Sequence, residues 1–151
     1  MAHKDSFKAK GRVGIVLKDK EGNVKEKREI ENKVVDTGLA YIASRMVDAN
    51  DSVMTHMALG SGSTAAAGSD TALGSQIGSR KTFTTATSHS GAVVTYTCNF
   101  GAGEGTGAVT EAGVFTAATS GTMLCRTVFS VVNKDANDTM TITWEITLSD
   151  T

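Results

Sequence analysis

Several things are scarce in this chain of 151 residues, and each scarcity removes a class of protein. Proline is absent, and sixteen glycines are left to make the turns. Glycine-rich turns between threonine-rich segments fit an all-β chain with tight connections. Aromatic residues make up 5% of the sequence, so Val, Ile, Leu, Met and Ala must build the core. The two cysteines, Cys98 and Cys125, lie far apart and both fall inside expected strands. They make neither a disulfide framework nor a zinc site, and the expectation is two buried free thiols. No apolar run approaches the length of a membrane-spanning helix. The segment Met1–Gly11 is polar and basic, without the apolar centre of a secretory signal. Charged residues amount to 21% with a net charge of -1, which argues against a general nucleic-acid binder.

That small net charge hides an asymmetry. Residues 1–33 carry ten Lys/Arg against six Asp/Glu, and residues 34–151 carry five against ten. A basic N-terminal segment on an acidic body suggests electrostatic docking to a neighbouring copy or to an acidic partner. The simpler explanation is an edge hairpin protected by lysines. The residues in question are Lys8, Lys10, Arg12, Lys25, Lys27 and Arg28. They form the candidate interface.

The clearest element is Thr139–Leu148, TMTITWEITL. Met140, Ile142, Trp144, Ile146 and Leu148 share one face, and Thr139, Thr141, Thr143, Glu145 and Thr147 share the other. Such alternation marks a strand with one buried and one wet face. Its apolar face requires a second layer, and Trp144 reads as core. Phe7 to Lys18 alternates in the same way, with a basic outer face, and Asp19–Asn23 supplies a turn with Gly22 able to take positive φ. Val24 to Ile30 is more polar, which places this hairpin at a sheet edge.

One amphipathic helix is expected over roughly residues 37–48, capped by Asp36, with Leu39, Ile42, Ala43 and Met46 facing the core and Tyr41 and Arg45 off that stripe. A short strand over Met54–Leu59 runs into a Gly/Ser/Ala loop, followed by one possible helical turn at Asp70–Ile77. Arg80–Thr87 and Ala92–Phe100 form the next strand pair, joined at Ser88–Gly91. Ala108–Ala117, Thr122–Val132 and Thr139–Leu148 form a closing meander. Together these make an all-β, jelly-roll-like β-sandwich of about eight strands with one α-helix. The whole of 1–151 is read as a single domain bearing a basic N-terminal strand or arm over 1–33.

No catalytic constellation emerges. Gly60–Ala65 matches G-x-G-x-x-G/A, but Gly68-Ser69 interrupts the helix that the dinucleotide fingerprint needs, and Arg80-Lys81 stands where an acid belongs. The loop reads better as backbone that must pack closely. His3, His56 and His89 lack metal-ligand spacing, and no G-x-S-x-G elbow occurs. Glu104 and Glu111 could be imagined as paired carboxylates, but read more simply as a solvated loop acid and an outward strand acid. Asp135–Asp138 lacks the remaining ligands of a calcium loop and reads as a polar turn. The expectation is a protein without enzyme activity, cofactor or metal.

Three stretches carry a family resemblance. They are Asn32–Arg45, then Met54–Thr64 with Asp70–Leu73, and Val109–Phe115 running through Met123–Phe129. Read together, they resemble small virion structural proteins of tailed bacteriophages over most of the chain from Asn32 onward. Within that group the sequence looks most like a capsid decoration, or cement, protein. The resemblance implies a partner in the major capsid protein, a homo-oligomer (dimer or trimer) and a place on the capsid surface of a virion assembled in the host cytoplasm. It implies no nucleic acid, membrane or small-molecule substrate. A tail, neck or baseplate component is similar enough to stay open beside it. A carbohydrate-binding module remains as a reading from another class.

Overall fold

The computed structural model describes residues 6–47 and 52–150. In chain order the elements are β1 (Lys8–Lys18), β2 (Val24–Glu31), β3 (Lys33–Val34), α1 (Asp36–Met46), β4 (His56–Gly60), β5 (Gln76–Thr82), β6 (Thr85–Ser90), β7 (Val93–Phe100), β8 (Gly107–Phe115), β9 (Met123–Lys134) and β10 (Thr139–Ser149). They form two antiparallel sheets of five strands, ordered β2-β1-β10-β7-β6 and β3-β9-β8-β4-β5. The fold is an all-β sandwich with a single helix among the described residues. Among the described residues, ten strands stand where about eight were expected. The difference is that two extended runs each serve both sheets. β2 becomes β3 across Asn32, and β5 becomes β6 across Phe83-Thr84. Each pair of sheet edges is therefore bridged by a chain passing from one layer to the other, which protects those edges from stray pairing.

β10 sits at the centre of the first sheet, between β1 and β7. Its pairing with β1 runs unbroken from Lys8↔Ser149 to Lys18↔Thr139. Met140, Ile142, Trp144 and Ile146 are buried as the alternation requires, in a core shared with Met57, Leu59, Val114 and Leu124 of the second sheet. Cys98 and Cys125 are buried and unbonded to each other. Burial drives the Cys98 thiol up to about 12 and the Cys125 thiol well above its ordinary value, so neither is an available thiolate.

The closing meander is not observed. β8 and β9 pair, but β10 leaves them and crosses to the first sheet, where β1 and β7 bury it from both sides. The predicted strand Arg80–Thr87 is two strands, because the chain changes sheet at Phe83. The first strand of that region is displaced too: Met54 and Thr55 lie before β4, which runs from His56 to Gly60.

The helix begins one residue before its expected start, and its N-cap is Val35, with no side-chain cap. It ends at Met46, with Val47 as its C-cap, and the end predicted at residues 48–50 lies outside the described residues. Its rotation differs as well. Gly38 is buried, and a Cβ there would collide with the Leu124 carbonyl of β9. That close approach sets which face turns inward. Residues one turn on, Tyr41 and Ile42, pack against the core, while Leu39, Ala43 and Met46 face outward. Thr37 reinforces the docking by donating its hydroxyl to the Met123 carbonyl at 2.9 Å.

Residues 61–75 contain no helical turn. Instead they cover the outer side of the second sheet. Leu73 packs there against a small cluster of Val35, Ala58, Phe115 and Met123. The second sheet is thus buried on both faces along residues 57–60, 111–115 and 123–127, and the first keeps one threonine-rich face toward solvent.

Candidate docking groove

The six basic residues of the candidate interface divide into two groups in space. Lys8, Lys10 and Arg12 lie on the outward side of β1 and line a groove of about 780 Å³. Lys27 is exposed on the same side of the sheet, on β2 opposite Val16. Lys25 and Arg28 are committed elsewhere. Lys25 donates to Asp138 at 2.6 Å and to Asp135 at 3.1 Å, and so staples the turn before β10. Arg28 pairs with Ile15 across the hairpin and so points inward. It donates to the carbonyls of Ser130 and Val131 at 3.0 and 3.2 Å and to Glu26 at 2.9 Å. There it satisfies the part of the β9 edge that the two-residue strand β3 cannot reach.

The groove itself follows from where β2 leaves the sheet. β1 pairs with β10 from Lys8, but with β2 only from Arg12 onward. Beyond Glu31 the chain turns through Asn32 into the other sheet. Among the described residues, Lys8–Gly11 is consequently an edge with a strand on one side only. Its walls are β1 and residues Glu29–Val34, and its far end is Leu39 of α1. Phe7 and Leu39 are 58% and 42% exposed, which gives the groove apolar surface as well as charge. In it Arg12 is paired with Glu29. Lys8, Lys10 and Lys33 make no salt bridge among the described residues. Phe7, Leu39 and Lys33 extend the site beyond the basic residues named from sequence; the helix rotation set by Gly38 is what exposes Leu39.

A second concentration of charge was not legible in the sequence. Glu111, expected to face solvent, is fully buried. Its carboxylate accepts the backbone N–H groups of Gly62 (2.9 Å), Gly74 (2.9 Å) and Ser75 (2.7 Å). Arg126 donates to it from Nε at 3.0 Å and Nη2 at 2.9 Å. Arg126 also donates to Asp70 at 2.8 Å and to the Thr64 carbonyl at 3.0 Å. Burial alone would raise the Glu111 carboxyl, but the bonds from Ser75, Gly74, Arg126 and Gly62 outweigh it and hold the group below its ordinary value. The glycine-rich loop that mimics a nucleotide fingerprint therefore does grip an anion, but the anion is the protein's own carboxylate. A side chain at Gly60 or Gly62 would strike Glu111, so close packing of this loop is as expected.

Glu104 belongs to a different network. It pairs with Lys81 through Oε1 and Oε2 (2.6 Å to the latter) and accepts the Gly101 N–H at 2.7 Å. The two glutamates thus do not act as a carboxylate pair. Nearby, Lys134 is buried and donates to the Gly101 carbonyl at 2.8 Å. Its ammonium is held below its ordinary value by burial. Asp138, expected in a polar turn, is also buried, with its carboxylate on Lys25 and the Asp135 N–H. Among the described residues, no three His, Cys, Asp or Glu side chains converge as metal ligands would.

No protein-family model, curated protein or solved structure matches the chain. The functional reading therefore rests on the groove and on the residues themselves.

Proposed function

We propose that this chain is a structural, non-enzymatic virion protein of a tailed bacteriophage that binds the outside of the major capsid protein lattice and stabilises the head. The observation that carries the proposal is the groove at Lys8–Gly11. Lys8, Lys10 and Lys33, without an ionic partner among the described residues, stand there beside exposed Phe7 and Leu39, while Glu111 and Arg126 are spent on each other inside the fold. A surface of this kind suits a macromolecular partner of acidic character. The motif resemblance in Asn32–Arg45, in Met54–Thr64 with Asp70–Leu73, and in Val109–Phe115 running through Met123–Phe129 supplies the identity of the partner. Trp144 and Tyr96 are buried, so neither offers a ring face to a sugar, and this weighs against a carbohydrate-binding module.

The test is to mix the purified protein with undecorated expanded heads and sediment them. Co-sedimentation at low salt that weakens as salt is raised is expected. Failure to co-sediment at low salt would refute the head assignment, and micrographs showing label at the tail would move the protein to the tail or neck.

A further inference from the structure

We propose that the Lys8–Gly11 edge of β1 takes up an extended acidic segment of the partner as an additional strand of the first sheet. The partner's identity rests on the reading above; the chemistry of the contact does not. β1 carries β10 on one side along its full length, and on the other side β2 begins only at Arg12. The unpaired stretch is four residues, about 13 Å of strand, enough for a short added segment. Backbone groups on that edge provide affinity without regard to sequence, and the side chains beside them choose the sequence.

The alternation of β1 specifies what is chosen. Lys8 and Lys10 lie on the outward face, so the added strand places acidic residues at two positions separated by one residue. Ala9 lies on the inner face and packs against the core. Small or apolar residues therefore suit the alternate positions, which look down on Leu39, Val34 and Asn32. The Asn32 amide is buried where a side chain on Gly11 would begin. It faces the Cys125 thiol, a weak partner, and meets no nitrogen or oxygen among the described residues. Its unused donor and acceptor are sealed beneath Gly11, and a swing of the side chain into the groove would present them to an incoming backbone.

A second copy of this chain is the poorer occupant. Antiparallel pairing of this edge with itself about Ala9 would set Lys8 of each copy against Lys10 of the other, and like charges directly opposite are destabilising. An acidic strand from a different protein removes that repulsion and also pairs the free ammonium of Lys33.

The experiment uses the full chain and two synthetic peptides, one alternating Glu with Val and one alternating Lys with Val. Backbone NMR shifts and amide hydrogen exchange are followed during titration. The Glu/Val peptide is expected to give saturable shifts and to slow exchange at Lys8–Gly11. The Lys/Val peptide is expected to do neither. Lys8→Glu with Lys10→Glu, two exposed positions where folding can be verified by melting, is expected to weaken binding at least about tenfold. Asn32→Leu, which keeps volume and removes the amide, is expected to weaken it less. Shifts without slowed exchange at the edge would overturn strand addition. So would equal binding of both peptides, displacement of the peptide by a single-stranded oligonucleotide, or a peptide-free dimer that protects the same amides. Heads separate this proposal from the broader one. Heads bound equally well by the double variant would defeat the edge and leave capsid binding standing. Edge protection by the Glu/Val peptide without any head binding would do the reverse.

Discussion

The charges around Glu111 and those around Lys8 are opposite uses of the same chemistry. Glu111 is completely buried and meets three backbone N–H groups and a guanidinium, and Arg126 in turn reaches Asp70 and a carbonyl. Glu111 and Arg126 are sealed from solvent, so an outside molecule cannot reach either of them. Lys8 and Lys10 are exposed on a strand edge with no ionic partner among the described residues. A buried, fully partnered ion pair holds its surroundings in one geometry, because removing either member strands the other in a medium of low polarity. An exposed, unpartnered charge contributes little to folding and remains available for binding. The fold and the surface of this protein are thus written in separate sets of charges, and substitutions should separate them cleanly.

The largest effects are expected in the buried cluster. Arg126→Met leaves Glu111 charged and buried, and Glu111→Gln turns an amide against the N–H groups of the loop. Each is expected to cost about 3–5 kcal/mol, read from denaturant midpoints. Next comes Gly38→Ala, whose new methyl must displace the Leu124 carbonyl. Overpacking of this kind costs about 1–3 kcal/mol, against a helix-propensity gain of about 1 kcal/mol, so a net loss in the denaturation midpoint is expected.

Acid offers a reversible version of the first test. Glu111, Asp70 and Glu104 all have carboxyls held below their ordinary values, 4.5 for Glu and 3.8 for Asp. Groups depressed in the folded state stabilise it above their unfolded values and lose that contribution as pH falls through their folded ones. The melting temperature is therefore expected to hold from neutrality down to about pH 5 and to decline below it. Glu111→Gln should flatten that decline, since it removes one of the groups responsible. At the other extreme, Lys8→Glu with Lys10→Glu is expected to change stability by no more than about 0.5 kcal/mol, while removing the salt-sensitive part of partner binding.

Strands with one wet face were easy to read. In β10 the period of two places every buried and every half-exposed residue from Met140 to Ile146 correctly, and β1 follows the same rule from Arg12 to Leu17. The position of the first hairpin at a sheet edge was legible for the same reason, since β2 alternates two polar faces. Glu111 was not legible, because β8 has no wet face from Glu111 to Phe115. One side meets the core, and the other lies under residues 61–75. A covering loop leaves no periodic trace of itself in the strand it covers. The rotation of α1 was missed for a related reason. A pattern of Leu39, Ala43 and Met46 looks like a core stripe, but Gly38 allows a backbone approach that no larger residue could match, and the helix turns on that contact. In the groove, Lys8, Lys10 and Arg12 were visible as an alternating basic face. The removal of Lys25 and Arg28 from it depends on distant partners, Asp138 and the β9 carbonyls, that only the folded chain brings near.

Thermal unfolding of two variants side by side, Glu111→Gln and the Lys8→Glu, Lys10→Glu pair, tests the division of charge most directly. At about 2–4 °C per kcal/mol for a chain of this size, the first should melt roughly 6–20 °C below the unmodified protein. The second should melt within about 2 °C of it. A Glu111→Gln variant that melts with the unmodified protein, or a lysine pair whose reversal collapses the fold, would contradict the separation of structural from binding charge.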